Sequence, residues 1–405
     1  MTYFLYKPIF LLSNNTKVKK QHCISSEMKK ILVIRLDTIG DIVLTTSFLR
    51  ELRYNFPKAW ITLVIKPEVY NLVETCPYVN EILVYYYHNR GHFEYLKKYI
   101  NALKFAYKYL LKRNFDLAIL PRWDFDNHYT TFIAYFSGTQ FRIGYSEKVN
   151  QYKKIVNKEY DKLLTHAINN STIKHTSEYN LDIIKYIGGT VSSNKLEIWL
   201  TPQDEEFAKK FYISHNYDIN RTNLLIVLGI GAGEYFKIWP IDRFTELGIW
   251  LINKYNAYLL IVGGQKEKNS AEFLEKKINS IYVINAVNKT TLRQTAALLK
   301  YCNLYIGNDS GPMHLASAVG IPIIELNGYT KSKQFSNGNP IYGFSPYGSK
   351  YINIQPEYFC ENTNISDFSK KFCISGITVD MVKQAIEENF LQLILKNNIH
   401  NENRN

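Results

Sequence analysis

Three short loops in this sequence place polar residues where they could bind a phosphate or move a proton. The first, "RLDTIGD" (35–41), follows an apolar run and ends in Asp41, at the start of a helical pattern. The second, "GIGAGEYFKIWP" (229–240), alternates glycines ahead of Lys237, and the third, "NDSGPMH" (308–314), opens a helix of small residues. A carboxylate can act as a general base. A glycine-rich loop with one lysine, or the free N–H groups of a helix start, suits a phosphate.

Each loop also has an ordinary structural explanation. Asp41 could simply interact with the dipole at the N-terminus of its helix, and Lys237 could be a solvated loop residue. Asp309 or Ser310 could cap the helix that follows without binding anything, and a lone His314 is most often structural. The local patterns leave these explanations open.

Strands and helices alternate along two stretches of the chain, which predicts two parallel sheets with helical crossovers. The predicted strands lie at 29–36, 59–66, 81–86, 115–120, 141–145, 223–231, 257–264, 281–285, 303–307 and 321–326. The three loops follow the strands ending near 36, 231 and 307. Ligands of such sheets bind outside the carboxyl ends of the strands, so the loops are well placed.

Other segments carry weaker predictions. Residues 42–56 have the spacing of one helix, and Gly40 is expected to allow a sharp turn before it. Residues 146–174 and 327–375 are polar and irregular. A final helix is predicted at 378–395.

Composition narrows the class of protein. The chain has 405 residues, a formal net charge of +13 and 46% hydrophobic residues. This predicts a globular protein with an anionic partner, namely nucleic acid, a phosphate-bearing substrate or a membrane surface, although a solvated basic surface is an equal explanation. No apolar run is long enough to span a membrane. HExxH, GxSxG and Walker A motifs are missing from the sequence.

Cysteine usage indicates a reducing compartment. The five cysteines form no CxxC pair, and an odd number in so long a chain argues against a disulfide framework. Cys360 and Cys373 have no companion at zinc-binding spacing and are interpreted as structural thiols.

Taken together and in this order, the motifs resemble glycosyltransferase family 9, the bacterial heptosyltransferases of the lipopolysaccharide inner core. The matching stretches are "ILVIRLDTIGDIVLTTSFLREL", "DLAIL" with "RIGYS", "GAGEYFKIWPIDRFTEL" and "IGNDSGPMHLASAVGIPIIELNG", within residues 29–390. The resemblance implies an α/β GT-B fold, with two Rossmann-like doubly wound domains facing across a cleft. It also implies inverting, metal-independent transfer without a cofactor. The donor would be a nucleotide sugar such as ADP-heptose, and the acceptor a phosphorylated lipid-linked saccharide.

The resemblance and the changes in composition along the chain divide it into five segments. They are an N-terminal extension at 1–28, an acceptor domain at 29–190, a linker at 191–204, a donor domain at 205–395 and a tail at 396–405. The extension and the tail are expected to be disordered. The resemblance implies a cytoplasmic protein, peripheral on the anionic inner face of the cytoplasmic membrane, with no nucleic-acid partner.

The resemblance also implies roles for individual residues. Asp41 matches the general base and Lys237 the phosphate-binding lysine. The residues matched to the donor site are Gly231, Ala232, Glu267, Asp309, Ser310, Gly311 and His314. Those matched to the acceptor-side loop are Arg35, Thr38 and Gly40. The alternative functions are another GT-B sugar-nucleotide enzyme, such as an epimerase, or a basic nucleic-acid-binding protein without enzymatic activity.

Overall fold

The computed structural model describes residues 28–86, 94–220, 223–330, 335–336, 339–357 and 373–390. The chain divides into two compact units, one containing Met1–Asn194 with Phe335–Gly343, and the other Lys195–Gln334 with Phe344–Asn405. The predicted extension, except for Met28, and the predicted tail lie outside the described residues. Each unit is built around one six-stranded sheet.

The first unit alternates strands and helices. Its strands are β1 (Lys30–Ile34), β2 (Trp60–Ile65), β3 (Glu81–Val84), β4 (Leu117–Leu120), β5 (Phe141–Tyr145) and β6 (His166–Ile168). Its helices are α1 (Ile39–Val43), α2 (Thr46–Asn55), α3 (Tyr70–Val73), α4 (Glu94–Phe105), α5 (Thr130–Phe136), α6 (Gln151–Val156) and α7 (Thr176–Tyr186).

The second unit repeats the alternation. Its helices are α8 (Pro202–Ser214), α9 (Ile241–Tyr255), α10 (Lys268–Ile278), α11 (Leu292–Leu299), α12 (Gly311–Val319) and α13 (Val379–Phe390). The strands of its sheet are β7 (Leu225–Gly229), β8 (Tyr258–Val262), β9 (Val283–Asn285), β10 (Leu304–Asn308), β11 (Ile323–Leu326) and β14 (Tyr351–Ile354). The short pair β12 (Phe335–Ser336) and β13 (Asn339–Pro340) is antiparallel.

Both sheets are parallel and share one strand order. The first runs β3-β2-β1-β4-β5-β6, and the second, read from β9, runs β9-β8-β7-β10-β11-β14. Each is the doubly wound order in which the winding direction reverses between the first and fourth strands of the unit. The reversal points therefore lie between β1 and β4 and between β7 and β10, where ligands of such sheets bind.

The central strands form because continuous apolar runs can be covered by helices on both faces of a parallel sheet. Ile31–Ile34 of β1 and Leu225–Leu228 of β7 are at most 1% exposed. In the second unit, one face of the sheet packs against α9 and α13 and forms an apolar cluster with them. Leu228, Ile306 and Ile324 are among the strand residues of this cluster. This packing fixes the strand ends from which the candidate loops leave.

Several elements differ from the sequence predictions. The predicted helix at 42–56 is two helices, α1 and α2, and Gly40 lies inside α1 instead of in a turn. Its φ angle is not in the left-handed region. The strands β6 and β14 lie in stretches predicted to be irregular, because both are short and only partly buried. Helix α8 begins inside the predicted linker, where Thr201 and Asp204 form a capping box.

Two further findings concern thiols and membrane spans. Cys373 is disulfide-bonded, so its interpretation as a structural thiol is wrong. Cys360, given the same interpretation, lies outside the described residues. Within the described part of the chain, no helix has both the length and the apolar character needed to cross a bilayer.

Candidate functional site

The reversal point of the second sheet brings Lys237 and Asp309 into contact. Lys237 lies in the loop between β7 and α9, and Asp309 directly follows β10. The Lys237 Nζ atom donates to the Asp309 Oδ2 atom across 2.6 Å, and the side chains are 26% and 16% exposed. The explanation of Lys237 as a solvated loop residue is therefore wrong.

The charges of this pair are fixed at neutral pH. Burial alone would lower the pKa of Lys237, but the charge of Asp309 and the hydrogen bond to it hold that pKa above its ordinary value. Burial alone would raise the pKa of Asp309, yet the charges of Lys237 and His314 hold that pKa below its usual range. A cation and an anion thus lie side by side at the carboxyl end of the sheet.

Asn308 joins the two loops at this point, and sequence reasoning assigned it no role. The Trp239 N–H donates to the Asn308 Oδ1 atom at 3.0 Å. The Asn308 Nδ2 atom donates to the carbonyls of Ile230 at 3.1 Å and Gly231 at 3.4 Å. Asn308 is fully buried, so these bonds replace hydration and fix the glycine loop against the end of β10. In the sequence, the only sign of this role was the position of Asn308 at the start of "NDSGPMH" (308–314).

Two opposed glycines let β7 and β10 end close together. Gly229 pairs with Gly307 in the register of the two strands. A Cβ atom on Gly307 would lie 2.6 Å from the Gly229 carbonyl oxygen, and one on Gly229 would lie 1.8 Å from the Tyr305 hydroxyl. Neither position has room for a side chain.

Glu267 lies beside the glycine loop, and its donor-site role stays a prediction. Its Oε2 atom accepts from the Gly264 N–H at 2.8 Å. A Cβ atom on Gly231 would lie 2.6 Å from the Glu267 Cδ atom, so the Glu267 side chain packs directly on Gly231. Ala232 follows in the same half-buried loop.

Helix α12 begins at Gly311, next to the Lys237–Asp309 pair. Ser310 is its N-cap residue and Pro312 lies in its first turn, but the Ser310 side chain makes no capping hydrogen bond. His314 is buried in the same turn. The N-terminal N–H groups of this nine-residue helix therefore lie beside a lysine at the reversal point of the sheet, an arrangement that suits a diphosphate.

In the first unit, Asp41 is held by a capping box and a buried arginine. Its Oδ2 atom accepts from the Thr38 N–H at 3.1 Å and the Thr38 hydroxyl at 2.8 Å. Its Oδ1 atom lies 3.1 Å from the Arg35 Nη2 atom. The Asp41 side chain is 19% exposed, and a carboxylate has further lone pairs. Asp41 thus has the structural role in its helix that the alternative explanation gave it, while its role as a base stays a prediction.

Behind Asp41 is a chain of alternating charges that sequence reasoning missed. The Arg35 Nε atom lies 2.9 Å from the Asp37 Oδ2 atom, and Arg35 is 2% exposed. Asp37 also pairs with Arg122, which in turn pairs with Asp124. The segment "PRWDFD" (121–126), which contains Arg122, follows β4 at the reversal point of the first sheet. The rule that ligands bind outside the carboxyl ends of parallel strands would therefore have pointed to this segment.

His128 interacts electrostatically with Arg122 of this charged cluster and with Lys66. The pKa of His128 is lowered to about 3 by burial, together with the positive charges of Lys66 and Arg122. The imidazole is therefore neutral at physiological pH. Lys66 directly follows β2 and Arg122 follows β4, so two cations belong to the carboxyl edge of the first sheet. Among the residues the structure describes, no group of three or more histidines, cysteines or acids has the arrangement of a metal site.

Comparison with known sequences identifies the family. Residues 104–366 match glycosyltransferase family 9 (heptosyltransferase), which is more than half of the chain. The chain belongs to glycosyltransferase family 9. The resemblance carried by the sequence motifs is thereby confirmed, and the protein is a glycosyltransferase.

Individual family 9 relatives are distant. The lipopolysaccharide core heptosyltransferase OpsX of Haemophilus influenzae is 24% identical over 303 residues, which is 74% of this chain and 79% of that protein. The lipopolysaccharide heptosyltransferase 2 of Salmonella typhimurium is 22% identical over 324 residues, covering 74% of this chain and 82% of that protein.

Solved structures show the same fold. A family 9 glycosyltransferase from Veillonella parvula matches with a TM-score of 0.69 and 24% identity, over 91% of this chain and all of that one. The ADP-heptose lipopolysaccharide heptosyltransferase II of Escherichia coli matches with a TM-score of 0.61 and 18% identity, over 90% of this chain and 99% of that one. The predicted GT-B fold class, with two parallel-sheet α/β domains, is confirmed.

Proposed function

We propose that this family 9 glycosyltransferase transfers a heptose from ADP-heptose to a lipopolysaccharide or lipooligosaccharide core acceptor. The observation that carries the proposal is the contact between Lys237 and Asp309, beside the start of α12 and the glycine loop. This arrangement supplies the ammonium donors of Lys237 and the N–H groups of a helix N-terminus for a diphosphate. The relatives' names support the sugar, because OpsX and the Salmonella protein are heptosyltransferases of lipopolysaccharide.

The nucleotide is inferred from a structural relative. A heptosyltransferase of Escherichia coli, WaaC, has been solved with ADP and with ADP-2-deoxy-2-fluoro heptose. In this chain, the glycine loop, Glu267 and α12 surround the carboxyl end of β7, where the diphosphate and ribose of such a donor would bind.

Transfer takes place in one inverting displacement. An acceptor hydroxyl oxygen attacks the anomeric carbon while the bond from that carbon to the diphosphate oxygen breaks. The hydroxyl proton passes to Asp41, and the electron pair of the broken bond leaves with ADP. A positioned base contributes about 10²–10⁴-fold to such a reaction. Arg35 and Thr38 hold the Asp41 carboxylate in one orientation through the contacts described above.

Lys237 and the N–H groups of α12 stabilise the charge that grows on the departing diphosphate. Fixed donors of this kind need no reorganisation as the charge develops. They take the place that a divalent cation has in many other sugar transfers, so we propose that the reaction is independent of metal.

The acceptor is a phosphorylated lipid-linked saccharide on the cytoplasmic face of the inner membrane. The net charge of +13 supports an anionic acceptor. Basic residues near a membrane surface are attracted to anionic lipids.

The test compares Asp41→Asn with a matched variant in the second unit, Asp204→Asn. Asp204 has the same local structure as Asp41, because it completes a capping box with Thr201 and pairs with an arginine, Arg293, at 2.8 Å. Loss of the cap and ion pair should therefore lower the melting temperature of both variants similarly, and only Asp41→Asn should lower kcat by about 10²-fold or more.

The assay uses ADP-heptose and heptose-deficient lipopolysaccharide, with mass spectrometry of the product. Transfer should continue in EDTA. Conversion of the nucleotide sugar without transfer would replace this proposal with an epimerase. Activity of Asp41→Asn within tenfold of wild type would remove Asp41 from the role of base, and EDTA inhibition reversed by Mg²⁺ would refute metal independence.

A further inference from the structure

Glu325 is a buried acid at the carboxyl end of β11, two strands from the glycine loop. It is 1% exposed and pairs in register with Gly307 of β10 and Asn353 of β14. Its neighbours Ile324 and Leu326 point into the apolar cluster of the second unit. Because side chains alternate along a strand, Glu325 and Asn353 point together to the opposite face.

Hydrogen-bond accounting around Glu325 leaves two oxygens without a donor. The Glu325 Oε1 atom accepts from the Asn327 Nδ2 atom at 3.0 Å. The Glu325 Oε2 atom and the Asn353 Oδ1 atom are both buried without a partner. An ionised Glu325 would leave a buried carboxylate oxygen without a donor, which is unfavourable, whereas a neutral carboxylic acid carries a proton on Oε2.

The electrostatics agree with this accounting. Burial, and next the negative charge of Asp309, raise the pKa of Glu325 to about 8, against the opposing effects of Asn327 and Lys237. With Glu325 neutral, the charges of Lys237 and Asp309 cancel. Ionisation of Glu325 would add one negative charge close to the proposed diphosphate site.

We propose that Glu325 is a positioning residue of the diphosphate site, which binds the nucleotide when Glu325 is a neutral acid and repels it when Glu325 is a carboxylate. The neutral acid leaves Lys237 available to the ligand, whereas the carboxylate attracts the lysine and repels the phosphates. This proposal rests on the proposed function, because it takes the ligand to be a nucleoside diphosphate.

The charged pair beside Glu325 does not titrate in the same range as Glu325. Lys237, from the loop before α9, has a raised pKa, and Asp309, from the loop after β10, has a lowered one. His314 faces Asp309 from α12, and Tyr329 acts on Lys237. A difference between wild type and Glu325→Gln isolates the contribution of Glu325 from that of His314 and Tyr329.

Calorimetric titration with ADP tests the proposal, with adenosine as the ligand that lacks phosphate. At pH 8, in buffers of different ionisation enthalpy, wild type should take up as much as about half a proton per ADP, because a bound anion raises a pKa that starts at about 8. The Kd for ADP should rise by up to ~5-fold between pH 8 and pH 9, because the protonated fraction of the free protein falls from about one half to about one tenth. At pH 6 this uptake should be missing, since Glu325 is already protonated.

Glu325→Gln keeps the shape of the neutral acid and should bind ADP at pH 7 with wild-type affinity. It should lose the proton uptake and the rise in Kd. Glu275→Gln is the matched control, because Glu275 also accepts from an asparagine, Asn285, at 2.9 Å but is exposed on α10. This variant should behave as wild type.

Protein stability gives a second measurement. Glu325 binds a proton more tightly folded than unfolded, so the free energy of unfolding should fall as pH rises from about 4.5 to about 8. In Glu325→Gln the free energy of unfolding should fall less over this pH range, because the ionisation of Glu325 no longer contributes.

Three outcomes would overturn the proposal. Equal proton uptake at pH 8 by wild type and Glu325→Gln would overturn it while leaving the proposed function intact, and so would equal uptake by wild type at pH 6 and pH 8. Failure of wild type to bind ADP would overturn the proposed donor, and the role of Glu325 with it.

Discussion

Lys237 has two ionic partners in the proposed reaction, Asp309 in the free protein and the diphosphate in the complex. Its three N–H donors allow both contacts at once. The lysine therefore reaches the ligand already oriented by Asp309, across the 2.6 Å contact between them. This pre-orientation reduces the ordering required when the donor binds.

Replacing Lys237 by alanine should raise the donor KM and lower kcat, with the acceptor KM unchanged. A charge-assisted hydrogen bond is worth about 1.5–3 kcal/mol, and the part that appears as the leaving charge grows affects kcat. Lys237→Arg should rescue only partly, because a planar guanidinium does not replace a compact ammonium. Steady-state kinetics with each substrate varied measures these effects.

The control for this prediction is Lys254→Ala. Lys254 also pairs with an acid, Glu387, in the second unit, but the pair is exposed. Kinetics of Lys254→Ala should match wild type. Wild-type kcat and donor KM in Lys237→Ala would leave the start of α12 as the remaining phosphate contact.

At the scale of residues, sequence reasoning singled out side chains whose type itself suggests chemistry, and the structure brings Lys237 and Asp309 into contact while their roles stay predictions. Asp41, Lys237 and Asp309 stood out as charged residues in loops after strands. Glu325 did not, because a single acid inside the apolar run "IPIIEL" gives no sign that one of its oxygens, Oε2, lacks a donor. Such a deficit becomes visible only when the neighbouring strands are in register.

At the scale of elements, the two sheets set how closely the site loops approach each other. β7 and β10 can end side by side because Gly229 and Gly307 have no side chains, while the strands on either side bring the loops to one edge. At Gly229 and Gly307 the surrounding atoms leave no space for a Cβ atom.

Gly307→Ala should destabilise the protein by about 1–3 kcal/mol, the usual effect of overpacking. Its Cβ atom would lie within 3.0 Å of three backbone atoms of Gly229, and backbone cannot move aside. Gly233→Ala is the control, because a Cβ atom there meets nothing within 4 Å, and its effect should stay within about 0.5 kcal/mol. Urea unfolding of both variants measures the difference. Equal stabilities would show that the strands separate easily.

Elements with continuous apolar runs could be predicted from sequence, and elements at sheet edges could not. Each of the core strands β1, β4, β7 and β10 contains at least three consecutive buried apolar residues. The edge strands β6 and β14 read "HAI" and "YINI", which is too short or too polar to distinguish from loop without the neighbouring strand. The start of α8 was predictable in principle, because its Thr-Pro-x-Asp capping box is a local signal.

At the scale of the whole molecule, 49 basic residues against 36 acidic ones give the chain an excess of positive charge. Proteins of this kind concentrate at anionic surfaces through interactions that weaken with salt. For an enzyme whose proposed acceptor is embedded in a membrane, such attraction raises the frequency of encounters with substrate.

The protein should therefore sediment with vesicles that contain phosphatidylglycerol, and much less with vesicles of pure phosphatidylcholine. Raising NaCl from 50 mM to 500 mM, which shortens the screening length to about 4 Å, should release most of the bound protein. Binding that is equal for both lipids, or unaffected by salt, would show that charge does not direct the protein to membranes.

The hydrogen bonds of Asn308 affect how the sequence of the 230–239 loop can vary among related proteins. Its side chain contacts residues as far as 69 and 78 positions earlier in the chain, so the 230–239 loop and the end of β10 form one inherited unit despite their separation. A chimera whose crossover falls between them would join one parent's loop to the other parent's anchor. Recombination among family 9 enzymes should therefore succeed most often when both segments come from the same parent.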